Sequence, residues 1–173
     1  MFTSTTNTAV LEGIRGGSPR AWQEFFRTYS PLVLAFAKRL GLTDADAADA
    51  VQETLLAVYT TFRKLKEPFD RSKGRFKHWL HGVALHKVRD VQRRRARREH
   101  AATQFAVEAA DSVGDTRKME EFEPVWRWNQ LRRALDQVAR EVDPTVWQAF
   151  ELYVLHQQPP GKVAKLLGTT RNA

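Results

Sequence analysis

Over most of this chain apolar side chains recur at intervals of three and four residues, and no stretch alternates apolar and polar residues as a half-buried strand requires. A period near 3.6 buries a single stripe only when the backbone is helical, because strand side chains change face at every residue. The expected class is all-α. Ser18 and Pro19 make a good N-cap and first helical position, and Trp22, Phe25, Phe26 and Tyr29 follow on one face. After Ser30 and Pro31 a second helix is expected, carrying Leu32, Val33, Phe36 and Leu40 and stopped at Gly41. Thr43 with Asp46 resembles a capping box, Asp standing where Glu is more usual. It opens a long helix with Val51, Leu55, Val58, Phe62 and Leu65 in its stripe. The opposite face of that helix is acidic early on, through Asp44, Asp49 and Glu53.

Lys66 to Arg75 contains Pro68 and Gly74 without helical periodicity and reads as a loop. Beyond it Phe76, Trp79, Leu80, Val83, Ala84, Val88 and Val91 form another stripe. Gln92 to Arg98 then reads Q-R-R-R-A-R-R, good helix formers without an apolar face, so this end of the helix is expected to project from the core. Four helices would close a first domain at residues 1–98. From Glu99 to Glu123 the chain is Ala-rich and acidic, with Glu108, Asp111, Asp115, Glu120, Glu121 and Glu123, and reads as a linker. Residues 124–173 form a second small helical domain: Trp126, Leu131, Leu135, Val138 and Val142, then Asp143 and Pro144 capping a helix with Val146, Trp147, Phe150 and Tyr153. No internal repeat is visible.

The 173 residues suit two small domains, and 42% apolar content with ten Phe and five Trp is ample for packed cores. A formal charge of +8 argues for a polyanionic partner, nucleic acid before an anionic membrane surface. The absence of cysteine removes disulfides, thiolate catalysis and cysteine-ligated zinc, and suits a reducing cytoplasm. Met1 to Val10 is polar and Thr-rich, unlike a secretory signal, and no apolar run approaches the roughly 20 residues a membrane span needs. A cytoplasmic protein without membrane insertion is expected.

Lys87, Arg89, Arg93, Arg94, Arg95, Arg97 and Arg98 place seven cations on the last turns of the basic helix. A charge run is often no more than a solvated face. Here the like charges repel one another and the helix beneath them is anchored by Phe76 and Trp79, which favours a positioned grip on DNA. If all seven met phosphates, duplex affinity would fall with salt at a log-log slope of about −6. Around the preceding loop, Phe69, Arg71, Lys73, Arg75, Phe76 and Lys77 interleave rings and cations, a pattern suited to unpaired bases, although Phe76 and Trp79 also fit a core role. His78 and His81 stand three residues apart with Asp90 nearby, but no carboxylate cluster converges on them, so neither a metal site nor an enzyme is expected and no cofactor is implied. Near the end, Pro160 to Thr170 has the Ala164 and Gly168 spacing of the first helix and turn of a helix-turn-helix. Thr170 would cap a recognition helix of which Arg171, Asn172 and Ala173 are present.

These motifs together resemble the group IV, or extracytoplasmic-function, sigma factors of bacterial RNA polymerase. Asp49, Ala50, Val51, Gln52 and Glu53 are similar to the D-x-V-Q-E run of region 2.2. Trp79, Leu80, Val83, Ala84, Asp90 and Arg93 are similar to the W-L-x-x-I-A-x-N-x-x-x-D-x-x-R pattern of regions 2.3 and 2.4, and Trp147 to Thr170 is similar to region 4. Leu85 and His86 depart from it, standing where the family usually has Arg and Asn, and region 4.2 is expected to be incomplete.

The resemblance implies a non-catalytic initiation factor. Asp49, Gln52 and Glu53 would dock on core polymerase, with the beta-prime and beta subunits as partners. Arg71, Lys73, Arg75, Lys77, His86, Lys87, Arg89, Arg93, Arg94, Arg95, Arg97 and Arg98 would meet the minus-10 element of promoter DNA. Lys162, Lys165, Thr169, Thr170, Arg171 and Asn172 would serve the helix-turn-helix at the minus-35 element, and an anti-sigma factor is a further implied partner. The rival from the residues alone is a helix-turn-helix regulator that binds DNA without polymerase.

Overall fold

Among the described residues, 8–64, 76–100 and 115–168, the computed structural model contains helices and no strand, as the periodicity implied. The chain divides into two compact units, Met1–Gln130 and Leu131–Ala173.

The first unit opens with a helix that the polar reading of the N-terminus overlooked. Helix α1 (Thr8–Arg15) buries Val10, Leu11 and Ile14. It meets the next helix at Gly13, where a Cβ would lie 2.5 Å from that of Ala21, so glycine is what lets the two backbones approach. Helix α2 (Pro19–Arg39) starts at Ser18, whose hydroxyl accepts the Ala21 amide at 3.3 Å. The break expected at Ser30 and Pro31 does not occur, and α2 runs through both. An interior proline costs about 3 kcal/mol. Tyr29 before it and Leu32, Val33 and Phe36 after it are buried on one stripe at about 1.5–3 kcal/mol each, which outweighs that cost.

Gly41, at φ 84°, turns the chain into helix α3 (Asp44–Lys64). The Thr43 hydroxyl accepts the Asp46 amide at 3.2 Å, which is the Thr43 half of the expected box, while the Asp46 carboxylate accepts from that hydroxyl at 2.9 Å instead of from the Thr43 amide. Helix α3 runs antiparallel to helix α4 (Phe76–His100): Phe62 meets Trp79 at one end, ring centroids 5.6 Å apart, while Asp46 meets Arg98 at the other. Phe25, Leu32, Val33, Phe36, Val58 and Leu80 fill the centre. Ala37, Ala47 and Ala50 pack against Val88 and Val91 nearer the far end, where small side chains let α3 and α4 close together. Leu65 and the expected loop of residues 66–75 lie outside the described residues.

Helix α5 (Asp115–Glu141) begins inside the stretch read as a linker. Its first half belongs to the first unit's core. Phe122 is fully buried against Phe36 and His81, with ring centroids at 5.0 and 5.1 Å, and Trp126 stacks near Tyr29 at 6.1 Å. Glu121 bonds Arg39 at 2.7 Å and Glu123 bonds Lys77, so two acids that suggested a solvated linker are counter-ions on a packed surface.

In the second unit the rest of α5 is followed by helix α6 (Pro144–Phe150), a π-helical turn (Glu151–Leu155) and helix α7 (Pro160–Leu167). Asp143 caps α6 by accepting the Thr145 amide at 2.8 Å, a bond that holds its carboxyl below the usual range. Gln157 adopts φ 50° between the π turn and α7, and Gly168 ends α7 in the left-handed region at φ 63°, at the position read as the turn. Val163 is buried, and the rings of Trp147 and Phe150 lie 5.3 Å apart.

Candidate nucleic-acid interface

Helix α4 has a packed side and an open one. Phe76, Leu80, His81, Ala84, Leu85, Val88 and Val91 point inward. On the opposite side His78, Gly82, His86, Arg93 and Arg97 form an exposed row at helical spacing. His78, Trp79, Gly82, Val83, His86 and Lys87 line an open trough of about 480 Å³ along its first turns. Phe76 is core, as its stripe allowed, whereas Trp79 is half-buried at the edge of that trough. His81 sits against the rings of Phe36 and Phe122, away from His78, and among the described residues no group of three His, Asp or Glu gathers in metal-binding geometry.

The basic end does not project as expected. Val91 is buried, and the turns beyond it lie along the acidic beginning of α3. Gln92 donates to the Leu40 carbonyl at 2.9 Å, Arg94 bonds the Glu53 carboxylate, and Arg95 and Arg98 stand 3.8 and 3.9 Å from Asp46. The Glu53 hydrogen bond pushes the Arg94 guanidinium above its ordinary value, so its charge is fixed. One cation that the sequence assigns to DNA, Arg94, is thus joined to an acid it assigns to a protein partner, Glu53. Asp90 gathers three further side chains, two of them cationic: His86 Nδ1 lies at 3.1 Å, Lys87 Nζ at 3.6 Å and Arg93 Nη1 at 3.7 Å.

The remaining site residues fall in separate places. Lys77 is half-buried and bonded to Glu123, whose carboxyl is held below its usual range by that bond first, with Arg127 adding to it at 3.0 Å. Arg89 is half-buried. Leu85 lies in the core, so its place in the motif is one of packing, while the neighbouring His86 is exposed. Asp49 and Gln52 are exposed on α3 beside the half-buried Glu53, and Lys162 and Lys165 are exposed on α7. Arg71, Lys73, Arg75, Thr169, Thr170, Arg171 and Asn172 lie outside the described residues.

One surface escaped the sequence reading. Trp22, Phe26, Gln52, Leu55, Leu56 and Tyr59, with residues from the α1–α2 turn, line a groove of about 470 Å³ in which Phe26, Leu56 and Tyr59 are exposed. Leu56 and Tyr59 fall off the α3 stripe of Val51, Leu55, Val58 and Phe62, and two apolar residues on a polar face were the available signal.

Residues 25–98 match the family described as Sigma-70 region 2. The chain is 30% identical over 140 residues to the ECF RNA polymerase sigma factor SigD of Mycobacterium bovis, and equally to that of Mycobacterium tuberculosis. Those alignments cover 78% of this chain and 64% of the relative. The ECF RNA polymerase sigma factor SigE of Mycolicibacterium smegmatis is 32% identical over 94 residues, 53% of this chain and 34% of that protein. The matched region thus spans less than two thirds of these relatives' length, and no solved structure matches.

Proposed function

We propose that the chain is an extracytoplasmic-function member of the sigma-70 family, a bacterial transcription initiation factor that directs core RNA polymerase to promoters. It catalyses nothing itself. The observation that carries this reading is α4: a helix packed along one side and presenting Arg93 and Arg97 on the other with His86 at the trough beside them, which is how a rigid element offers cations to a phosphate backbone and an open trough to bases.

In this reading the outward face of α4, with His86, Lys87, Arg89, Arg93 and Arg97, contacts the minus-10 element as it opens, and Arg71, Lys73 and Arg75 capture an unstacked base. Arg94, Arg95 and Arg98 form a second rank that meets DNA in competition with Glu53 and Asp46. Lys77 contributes only if its bond to Glu123 opens. Asp49 and Gln52 dock on the beta-prime subunit together with the adjoining apolar groove of Leu56 and Tyr59, an exposed apolar patch with a polar rim being the usual mark of a protein-binding surface. The second unit, through Lys162, Lys165, Thr169, Thr170, Arg171 and Asn172, addresses the minus-35 element, with the beta subunit nearby. An anti-sigma factor would act by covering these same surfaces.

Association with purified core polymerase tests the docking. The wild-type chain should form a defined complex, and Gln52→Ala with Leu56→Asp should weaken it at least about tenfold while the thermal midpoint holds, both side chains being exposed. No complex, or one indifferent to these changes, contradicts the assignment.

A further inference from the structure

A carboxylate in the middle of a basic DNA face is electrostatically unfavourable for binding a polyanion, because it cancels one cation and repels phosphate. Asp90 is such a group, and its environment points to a compensating role. It is half-buried, and its two oxygens gather His86, Lys87 and Arg93, which come from the turn before it and the turn after it. We propose that Asp90 is the positioning residue of the α4 DNA face, holding His86, Lys87 and Arg93 as one pre-set array. The proposal rests on the reading of that face as the promoter contact.

Two physical consequences give the array its value. A carboxylate only accepts hydrogen bonds, so His86 presents Nδ1–H to Asp90 and keeps Nε2 as the nitrogen offered to a ligand at the trough. The ring is thereby fixed in one tautomer and one orientation, as a base-reading group must be. Lys87 and Arg93 are long and mobile side chains, and restraining them before DNA arrives reduces the conformational entropy lost on binding. Arg94 lies close enough to feel the Asp90 charge while bonding Glu53, so the same carboxylate sits at the junction of the outward row and the rank facing α3.

Charge alone and positioning predict opposite results for Asp90→Asn and Asp90→Ala. Removing the negative charge should tighten DNA binding if only the net charge matters. If Asp90 positions the array, both variants loaded on core polymerase should bind a short promoter duplex about fivefold more weakly and should lose discrimination between promoter and scrambled sequence. Asp90→Glu, which keeps the carboxylate, should recover most of both. Arg97→Ala serves as the reference for the face itself. If Arg97→Ala leaves affinity and salt slope unchanged, the promoter-face reading fails and the array with it. If Arg97→Ala weakens binding while Asp90→Asn and Asp90→Ala bind as well as or better than wild type, or Asp90→Glu fails to recover discrimination, the positioning role alone is overturned.

Discussion

Leu85 and His86 are adjacent in sequence and opposite in environment, Leu85 being 2% exposed and the His86 side chain 71%. The helical turn between successive residues decides it: Leu85 lies one turn beyond the buried His81, while His86 continues the outward row. The stripe read from the sequence ran through Phe76, Trp79, Leu80, Val83, Ala84, Val88 and Val91 and omitted Leu85, because α4 is covered by α2 and by the start of α5 as well as by α3. Its buried arc is therefore wider than one seam. Replacing Leu85 by the Arg usual in the family should bury a charge with no partner and destabilise the first unit by about 3 kcal/mol or more, read as a lowered urea midpoint. Phe122→Ala should cost a similar 3–5 kcal/mol for the cavity left among Phe36, His81 and Trp126. A change below about 1 kcal/mol at Phe122 would mean that α5 does not pack as described.

At the scale of helices, α3 and α4 exchange charge, and this revises the salt dependence expected from composition. With Arg94, Arg95 and Arg98 engaged by Glu53 and Asp46, and Lys87 and Arg93 beside Asp90, the slope of log affinity against log salt should be shallower than the value of about −6 expected for seven phosphate contacts. Asp46→Asn with Glu53→Gln should steepen it again, and an unchanged slope would mean that phosphate displaces the carboxylates freely. The first half of α5 is held partly by Glu123. Its carboxyl lies below the ordinary value, so the stability it contributes is present above about pH 4.3 and is lost as pH falls through the lowered value. Acidification below the ordinary carboxylate range should loosen α5 from the first unit, seen as a change in tryptophan fluorescence, and Glu123→Gln should remove that acid step. These pairings were not legible in sequence because the partners are far apart along the chain, 41 residues for Arg94 and Glu53. The caps were legible, since Ser18, Thr43 and Asp143 act on amides two or three residues away.

At the scale of the molecule, helical periodicity alone carried the all-α class and the presence of two units. It misplaced the boundary, since the Phe122 and Trp126 pair was hidden among acids and the core extends to Gln130. The π-helical turn at Glu151–Leu155 had no recognisable signal: it closes through the His156 amide donating to the Glu151 carbonyl at 2.9 Å, a backbone bond that no particular side chain announces. The basic surface of α4 was partly legible as a charge run, but its division into an outward row and a rank facing α3 required the packing of α3 against α4. In the proposed function that packing sets α4 to meet promoter DNA once polymerase is bound. Run-off transcription with core enzyme over a library of promoters tests it most directly. The account predicts initiation at a subset sharing a short minus-10 motif, lost in Arg93→Ala with Arg97→Ala although core binding is retained. Sequence-specific duplex binding by the free chain, with no promoter-specific initiation when core enzyme is added, would contradict it.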